Sequence, residues 1–204
     1  MLKMSAAMSL ADIDNDIFLQ RINASITRVR FALQSYDNFK QFVRIELDSA
    51  VKEIEENSNK LNFDLTEDQL TLILLANIKN KDMGIEAFHE NNQRGHCDIT
   101  IKLKNYIWHG EAKKHTSSYG YLFKGYAQLT ERYSTGTVDS ASGGLIIYTR
   151  NRKCNEMMSN WKAHLDKFAP RIHACKSITI TPCQKNPLVF YSQHVHTVTQ
   201  LNYE

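Results

Sequence analysis

Apolar residues recur at helical spacing through the first quarter of the chain. Ile13, Ile17, Phe18, Ile22, Ile26 and Val29 form one run. After Ser35-Tyr36-Asp37 a second run carries Phe39, Phe42, Val43, Leu47, Ala50, Val51 and Ile54 on one stripe. With no glycine or proline in the first 60 residues, this period predicts a helical hairpin over about residues 9–58. Its apolar stripes could pack on the rest of the chain or on a second copy. Asn57-Ser58-Asn59-Lys60 reads as a joint between an N-terminal helical extension (1–60) and a second domain (61–204). Thr66 and Gln69 then have capping-box spacing and open a helix that runs towards Asn80. The polar passage 79–93 contains Gly84 and a first strand near Ile85 to His89.

At residues 96–115 the period changes to two, in two short strands around Lys104-Asn105. One face carries Cys97, Ile99, Ile101 and Leu103, followed by Tyr106, Trp108, Gly110 and Ala112, and reads as core. The other carries Asp98, Thr100 and Lys102, followed by Ile107, His109, Glu111 and Lys113, and reads as a polar face. A two-residue turn pairs Leu103 with Tyr106 and, counting outward, Asp98 with Glu111, Lys113 being next on the same face. Two carboxylates that close repel each other unless a cation lies between them. Mg²⁺ takes carboxylate, water and phosphate oxygens. An amine two residues on can then hold a phosphate oxygen or the attacking water.

The pattern Asp98 … Glu111-Ala112-Lys113 resembles that of the PD-(D/E)xK nuclease superfamily. Gly95-His96-Cys97-Asp98-Ile99 is similar to the G-x-x-D-I segment at the start of the family's second core strand. Trp108-His109-Gly110-Glu111-Ala112-Lys113 is similar to the E-x-K strand that follows, while Cys97 stands where the family usually has proline. The resemblance covers about residues 64–192, so that 61–204 would be the nuclease domain. It implies an α/β, restriction-endonuclease-like core, with a mixed four- or five-stranded sheet flanked by helices. It also implies Mg²⁺, or Mn²⁺, held by Asp98, Glu111 and the Ala112 carbonyl. Lys113 would stabilise developing charge or position water, and Lys113→Ala on a polar face should abolish cleavage but spare the fold.

In this family the helix before the sheet often brings another acid to the metal site. Glu67 is the match, with Asp68, Glu86 and Glu90 as alternatives, although acids in a first turn also stabilise the helix dipole without any catalytic role. In some branches the helix after the E-x-K strand carries a Gln with a Tyr four residues on. Gln128 fits, as a residue orienting the Lys113 strand or a water. Tyr133 follows it by five residues and Arg132 takes the helical position, so Tyr133 is expected to point elsewhere. His96, His109 and His115 are read as site-lining.

Further along, residues 121–133 read as a helix, 134–143 as a small-residue loop, and 144–149 as a strand buried on both faces and joined by a right-handed crossover. Arg150, Arg152 and Lys153 at its end could contact phosphate, as could Arg21, Arg28 and Arg30, though solvated surfaces carry such residues too. An amphipathic helix over 153–168 stops at Pro170. Residues 176–181 and 188–191 read as late strands. His194 and His196 share a strand face, and with Cys183 they suggest a zinc site, but no fourth ligand has diagnostic spacing.

The chain has 204 residues, 42% hydrophobic and 23% charged, as in an ordinary globular protein. The net charge of +3 is uneven: residues 1–60 hold 8 Lys/Arg against 9 Asp/Glu, and residues 61–204 hold 17 against 13. The basic excess lies with the candidate site but is too small to argue nucleic-acid binding alone. Four cysteines without a C-x-x-C pair read as free thiols. With no convincing signal peptide or membrane span, the expectation is a cytoplasmic protein. The absence of a P-loop and of a G-x-S-x-G elbow argues against a nucleotide triphosphatase or a serine hydrolase.

The resulting expectation is a Mg²⁺-dependent endonuclease acting on double-stranded DNA, with restriction or phage defence as the role the resemblance suggests. The N-terminal helices could join a homo-oligomer or a partner protein. The alternatives are a non-catalytic nucleic-acid or protein-binding module, and an RNA-directed toxin nuclease.

Overall fold

The computed structural model describes residues 10–59, 65–89, 97–116, 118–133, 137–172, 175–196 and 199–204. Three helices come first, rather than two: α1 (Leu10–Asn15), α2 (Ile17–Ala32) and α3 (Tyr36–Glu56). The break after Asn15 is a capping event. The Asp16 carboxylate accepts from the N–H groups of Phe18 (2.7 Å) and Leu19 (3.2 Å), which starts α2. Ser35 caps α3 in the same way through the N–H of Asn38. The expected capping box opens α4 (Glu67–Ile78). The Gln69 N–H donates to Thr66 Oγ1, and the Thr66 N–H donates to the Gln69 side chain.

Four strands form one mixed sheet in the order β1 (Ile85–Phe88), β2 (Ile99–Leu103), β3 (Tyr106–His115), β4 (Gly143–Thr149). The first three are antiparallel, in the register the two-residue turn demands: Leu103 faces Tyr106 and Ile99 faces Gly110. Lys104 takes the left-handed conformation this tight turn needs, with φ 59°. α5 (Tyr119–Gln128) carries the chain from β3 to β4, which pairs parallel to β3.

Each face of the sheet carries helices. On one, Phe39, Phe42 and Val43 of α3 with Leu74 and Ile78 of α4 bury Ile99, Ile101, Leu103, Trp108 and Ala112. The α3 stripe therefore packs on the sheet, and one core takes in residues from both sides of the joint at 57–60. On the other face, Leu122 and Tyr126 of α5 with Trp161 and Leu165 of α6 (Cys154–Phe168) cover Leu145 and Ile147. The class is thus α/β, a mixed four-stranded sheet flanked by helices. β4 departs from expectation: every one of its residues is only half-buried. Both of its faces are packed, but among the described residues it ends the sheet, its outer edge met only at Gly143, whose N–H donates to the Glu204 carbonyl at 2.8 Å.

The late strands do not extend this sheet. β5 (Cys175–Pro182), β6 (Phe190–His196) and β7 (Asn202–Tyr203) form a separate antiparallel sheet, which packs on α5 and α6 through Ile178, Ile180 and Phe190. On the far side of the molecule α2 leaves Ile17 (66%) and Phe18 (67%) exposed. No helix among the described residues is long and apolar enough to cross a membrane.

Candidate functional site

β2 and β3 separate at Asp98. There the Ala112 N–H donates to Asp98 Oδ2 at 3.0 Å, so a side chain stands where a strand partner would be. Cys97 holds the corner. Its thiol is fully buried, donates to the carbonyls of Ile99 (3.0 Å) and Gly110 (3.3 Å), and is pushed by burial up to about 11, so it stays protonated. The side chains of Glu111 and Lys113 follow on β3, on the face covered by α5.

That cover corrects the sequence reading. Period two does place Asp98, Glu111 and Lys113 together, but Glu111 is 0% and Lys113 6% exposed. Gly125 of α5 makes the cover possible: a Cβ there would lie 2.7 Å from Lys113 Cγ and 3.1 Å from Leu145 Cδ1. A side-chain-free position in mid-helix lets α5 rest directly on the lysine.

The Lys113 ammonium is the centre of the cluster. It donates to Asp98 Oδ2 at 3.0 Å, Glu111 Oε2 at 3.1 Å, Glu67 Oε1 at 3.3 Å and the Ala112 carbonyl at 2.8 Å. Three carboxylates around one ammonium leave a local deficit of positive charge. Burial, then the neighbouring Asp98 charge, push the Glu111 carboxyl up to about 7, and Lys113 offsets this only in part. Burial opposes the charged form of Lys113, but Asp98 and Glu111 outweigh it and raise its pKa above the usual 10.5. Glu111 Oε1 is buried with no hydrogen-bond partner among the described residues.

Of the three acids weighed for the outer position that are described, Glu67 is the one that joins the cluster. Its Oε2 accepts from the Lys114 N–H at 2.6 Å, and both its oxygens accept from the Tyr121 hydroxyl at 3.2 and 3.3 Å. Asp68 is exposed and sits 3.6 Å from His89 Nε2. Glu86 is exposed on β1 opposite Lys102. Glu90 lies outside the described residues, as do Gly95 and His96.

Gln128 closes α5 seven residues after Tyr121, half-buried, and no hydrogen bond among the described residues joins it to the carboxylates. Tyr133 is the larger surprise. Residues Leu129–Tyr133 form a π-helical turn. Such a turn absorbs one extra residue, so a position five residues on takes the place that four residues reach in an α-helix. Tyr133 is accordingly turned inward and 2% exposed, 6.2 Å from the His109 ring. Burial, then the Glu111 charge, raise its phenol. Arg132, at the regular helical spacing, is exposed.

The other expectations divide. His109 lines the site between Tyr133 and Cys97, with Nδ1 3.7 Å from the Cys97 sulfur. His115 lies beyond the cluster, its ring 5.0 Å from Tyr119. The zinc grouping is split: His194 is buried against Tyr126 and Tyr203, whereas Cys183 accepts a 2.8 Å contact from Arg44. The side chain of His196 lies outside the described residues. Arg28 is committed to Glu46 and Lys153 to Glu156. Arg21, Arg30, Arg150 and Arg152 are exposed.

Comparison with protein-family models, curated proteins and solved structures finds no match. The site therefore stands on its own geometry.

The donor set fits a hard divalent cation. Asp98, Glu111 and the Ala112 carbonyl supply only oxygens, already turned towards one positive charge, and Glu111 has an unused buried oxygen. In this structure the cation they share is the lysine ammonium, and among the described residues no group of three or more His, Cys, Asp or Glu side chains is arranged as a metal site. A cavity of about 1430 Å³ lies elsewhere, along the open edge of β4 between α3, α6 and β6. It includes none of the three carboxylates, and its Lys40 and Arg44 are already in ion pairs. The cluster is the stronger candidate because three carboxylates share one ammonium and Glu111 Oε1 is buried without a partner among the described residues.

Proposed function

We propose that the chain is a metal-dependent nuclease of the PD-(D/E)xK type, built on a restriction-endonuclease-like core and hydrolysing phosphodiester bonds in DNA. One observation carries this reading: Glu67, Asp98, Glu111 and the Ala112 carbonyl converge on a single buried ammonium, and burial together with the neighbouring Asp98 charge raises the Glu111 carboxyl to about 7.

Mg²⁺ or Mn²⁺ would be held by Asp98, Glu111 and the Ala112 carbonyl, and when bound would neutralise phosphate charge and lower the pKa of water. Lys113 donates to a phosphate oxygen and offsets the charge that develops there. Glu67 aims that ammonium, and the Tyr121 hydroxyl aims Glu67. Tyr133 and the α5 cover exclude water from the buried side of the site. A cytoplasmic role in restriction or phage defence belongs to the same proposal, and so does pairing with a second copy through α2 for double-strand cutting.

A second reading has one observation in its favour. Lys113 already satisfies one oxygen of each carboxylate, so the cluster could serve as a structural ion-pair network in a nucleic-acid or protein-binding module. The two readings separate in an assay of supercoiled plasmid with Mg²⁺, Mn²⁺ or EDTA. The nuclease reading predicts nicked or linear DNA with either metal and none in EDTA. Intact plasmid under all three conditions favours the binding module.

A further inference from the structure

From the site a line of rings leads away across α5 and α6. His115, two residues beyond Lys113, lies 5.0 Å from Tyr119; Tyr119 lies 6.0 Å from His164; and His164 lies 4.4 Å from Phe168, all between ring centroids. Phe123 flanks this line, 5.8 Å from His164 and 6.1 Å from Phe168. All five residues are half-buried, Tyr119 and Phe123 packing in part on the core beneath. At the far end the line meets positive charge: Arg171 Cζ lies 4.7 Å and Lys167 Nζ 5.2 Å from the Phe168 ring centre.

These cations differ from most of those on the N-terminal helices, though Arg21 and Arg30 are exposed as well. Arg28, Lys40, Arg44 and Lys52 are each in an ion pair, while Lys167 and Arg171 are exposed and in none among the described residues. Asp166, the nearest acid in sequence, is one position from Lys167 and two from His164, and at that helical spacing it faces away from both. Burial and the adjacent Lys167 lower the His164 pKa below 6.5, so at pH 7.5 it is a neutral ring.

We propose that this strip binds the single-stranded flank of a nucleic acid whose phosphodiester reaches the Lys113 cluster. The preferred substrate is then DNA with unpaired nucleotides beside the scissile bond, which negatively supercoiled plasmid offers where it melts and relaxed blunt duplex does not. Charge alone would attract any polyanion, but here a row of rings leads up to the two cations at its far end. Only unpaired bases have π-faces free to lie on such rings. The inference refines the nuclease reading and shares its site, yet binding to the strip needs neither metal nor catalysis.

The test is fluorescence anisotropy in EDTA, with a labelled single-stranded oligonucleotide of about 20 residues, in DNA and RNA forms, and a blunt duplex of equal length. Wild type should bind the single strands at least about tenfold more tightly than the duplex. Lys167→Glu with Arg171→Glu, both exposed, should weaken single-strand binding about tenfold and flatten its salt dependence. Tyr119→Leu, which keeps apolar packing but removes the ring face, should weaken it about tenfold at unchanged salt dependence.

Equal affinity for duplex and single strand, or binding unaffected by both variants, overturns the strip even if plasmid is cleaved. So does inorganic polyphosphate competing as well as the oligonucleotide, since charge alone would then explain binding. If plasmid is never cleaved but the strip variants lose single-strand binding, the strip stands and the catalytic reading fails.

Discussion

Two buried groups titrate in opposite senses, and replacing one should expose the other. The Glu111 carboxyl sits at about 7 against an ordinary 4.5. Between those values the folded chain binds a proton the unfolded chain does not, so stability falls as pH rises through that window. The gap corresponds to about 3 kcal/mol, at about 1.4 kcal/mol per pH unit. His194 does the reverse. Burial lowers it to about 4 from 6.5, so the unfolded chain takes up the proton first and stability falls as pH drops below 6.5, again by about 3 kcal/mol in full. Going from pH 7.5 to pH 5, Glu111 should add roughly 2 kcal/mol and His194 remove slightly less, leaving wild type changed by only about half a kcal/mol. Glu111→Gln keeps the shape but not the titration, so the variant should lose about 2 kcal/mol over the same interval. Urea unfolding in EDTA at half-unit steps of pH reads the difference directly as a shift in midpoint. Parallel pH profiles for wild type and Glu111→Gln would refute the placement of a proton-retaining Glu111 in the buried cluster.

Other substitutions probe the packing around it. Lys113→Met should destabilise the fold by about 3–5 kcal/mol in EDTA, because it leaves three carboxylates without their cation, and Mg²⁺ should restore part of the loss in thermal unfolding. Wild-type stability in Lys113→Met would contradict the ammonium-centred network. Gly125→Ala should cost about 1–3 kcal/mol and reduce cleavage together with stability, since the new methyl meets Lys113 and Leu145; an unchanged unfolding midpoint would mean that α5 does not rest on the lysine. Tyr121→Phe removes only the hydroxyl on Glu67, so cleavage should fall while the exposed ring leaves stability within about 0.5 kcal/mol. Phe39→Ala, at a fully buried contact of α3 with the sheet, should cost about 3–5 kcal/mol, measured by urea unfolding. A loss under about 1 kcal/mol would mean that α3 is not part of the sheet's core.

What could be read in the chain beforehand was whatever depends on local spacing. The alternation from Cys97 to Lys113 carries the hairpin register, because a two-residue turn leaves one pairing that keeps Ile99, Ile101 and Trp108 on one face. Thr66 and Gln69 carry the start of α4 for the same reason. The exposure of the polar face was not legible, because only the tertiary position of α5 decides whether Glu111 faces water. Gly125 was the available signal, a glycine inside a helix where alanine would be more stable. Tyr121 gave no spacing signal at all: its hydroxyl meets Glu67 across 54 residues. Counting at 3.6 residues per turn points Tyr133 away from the site, and the looser winding of Leu129–Tyr133 turns it inward. The late strands were found but not their sheet, since alternation locates a strand and says little about its neighbour.

The most direct test of the central claim is the cleavage of supercoiled plasmid in Mg²⁺ by wild type and by Asp98→Asn. The amide can still accept from the Ala112 N–H, so fold and strand geometry should survive, as equal thermal unfolding would verify, while the charge that helps hold the metal is gone. The account predicts metal-dependent nicking or linearisation by wild type and a loss of at least about a hundredfold in the variant. Equal cleavage by the two proteins, or cleavage by wild type that persists in EDTA, would contradict it.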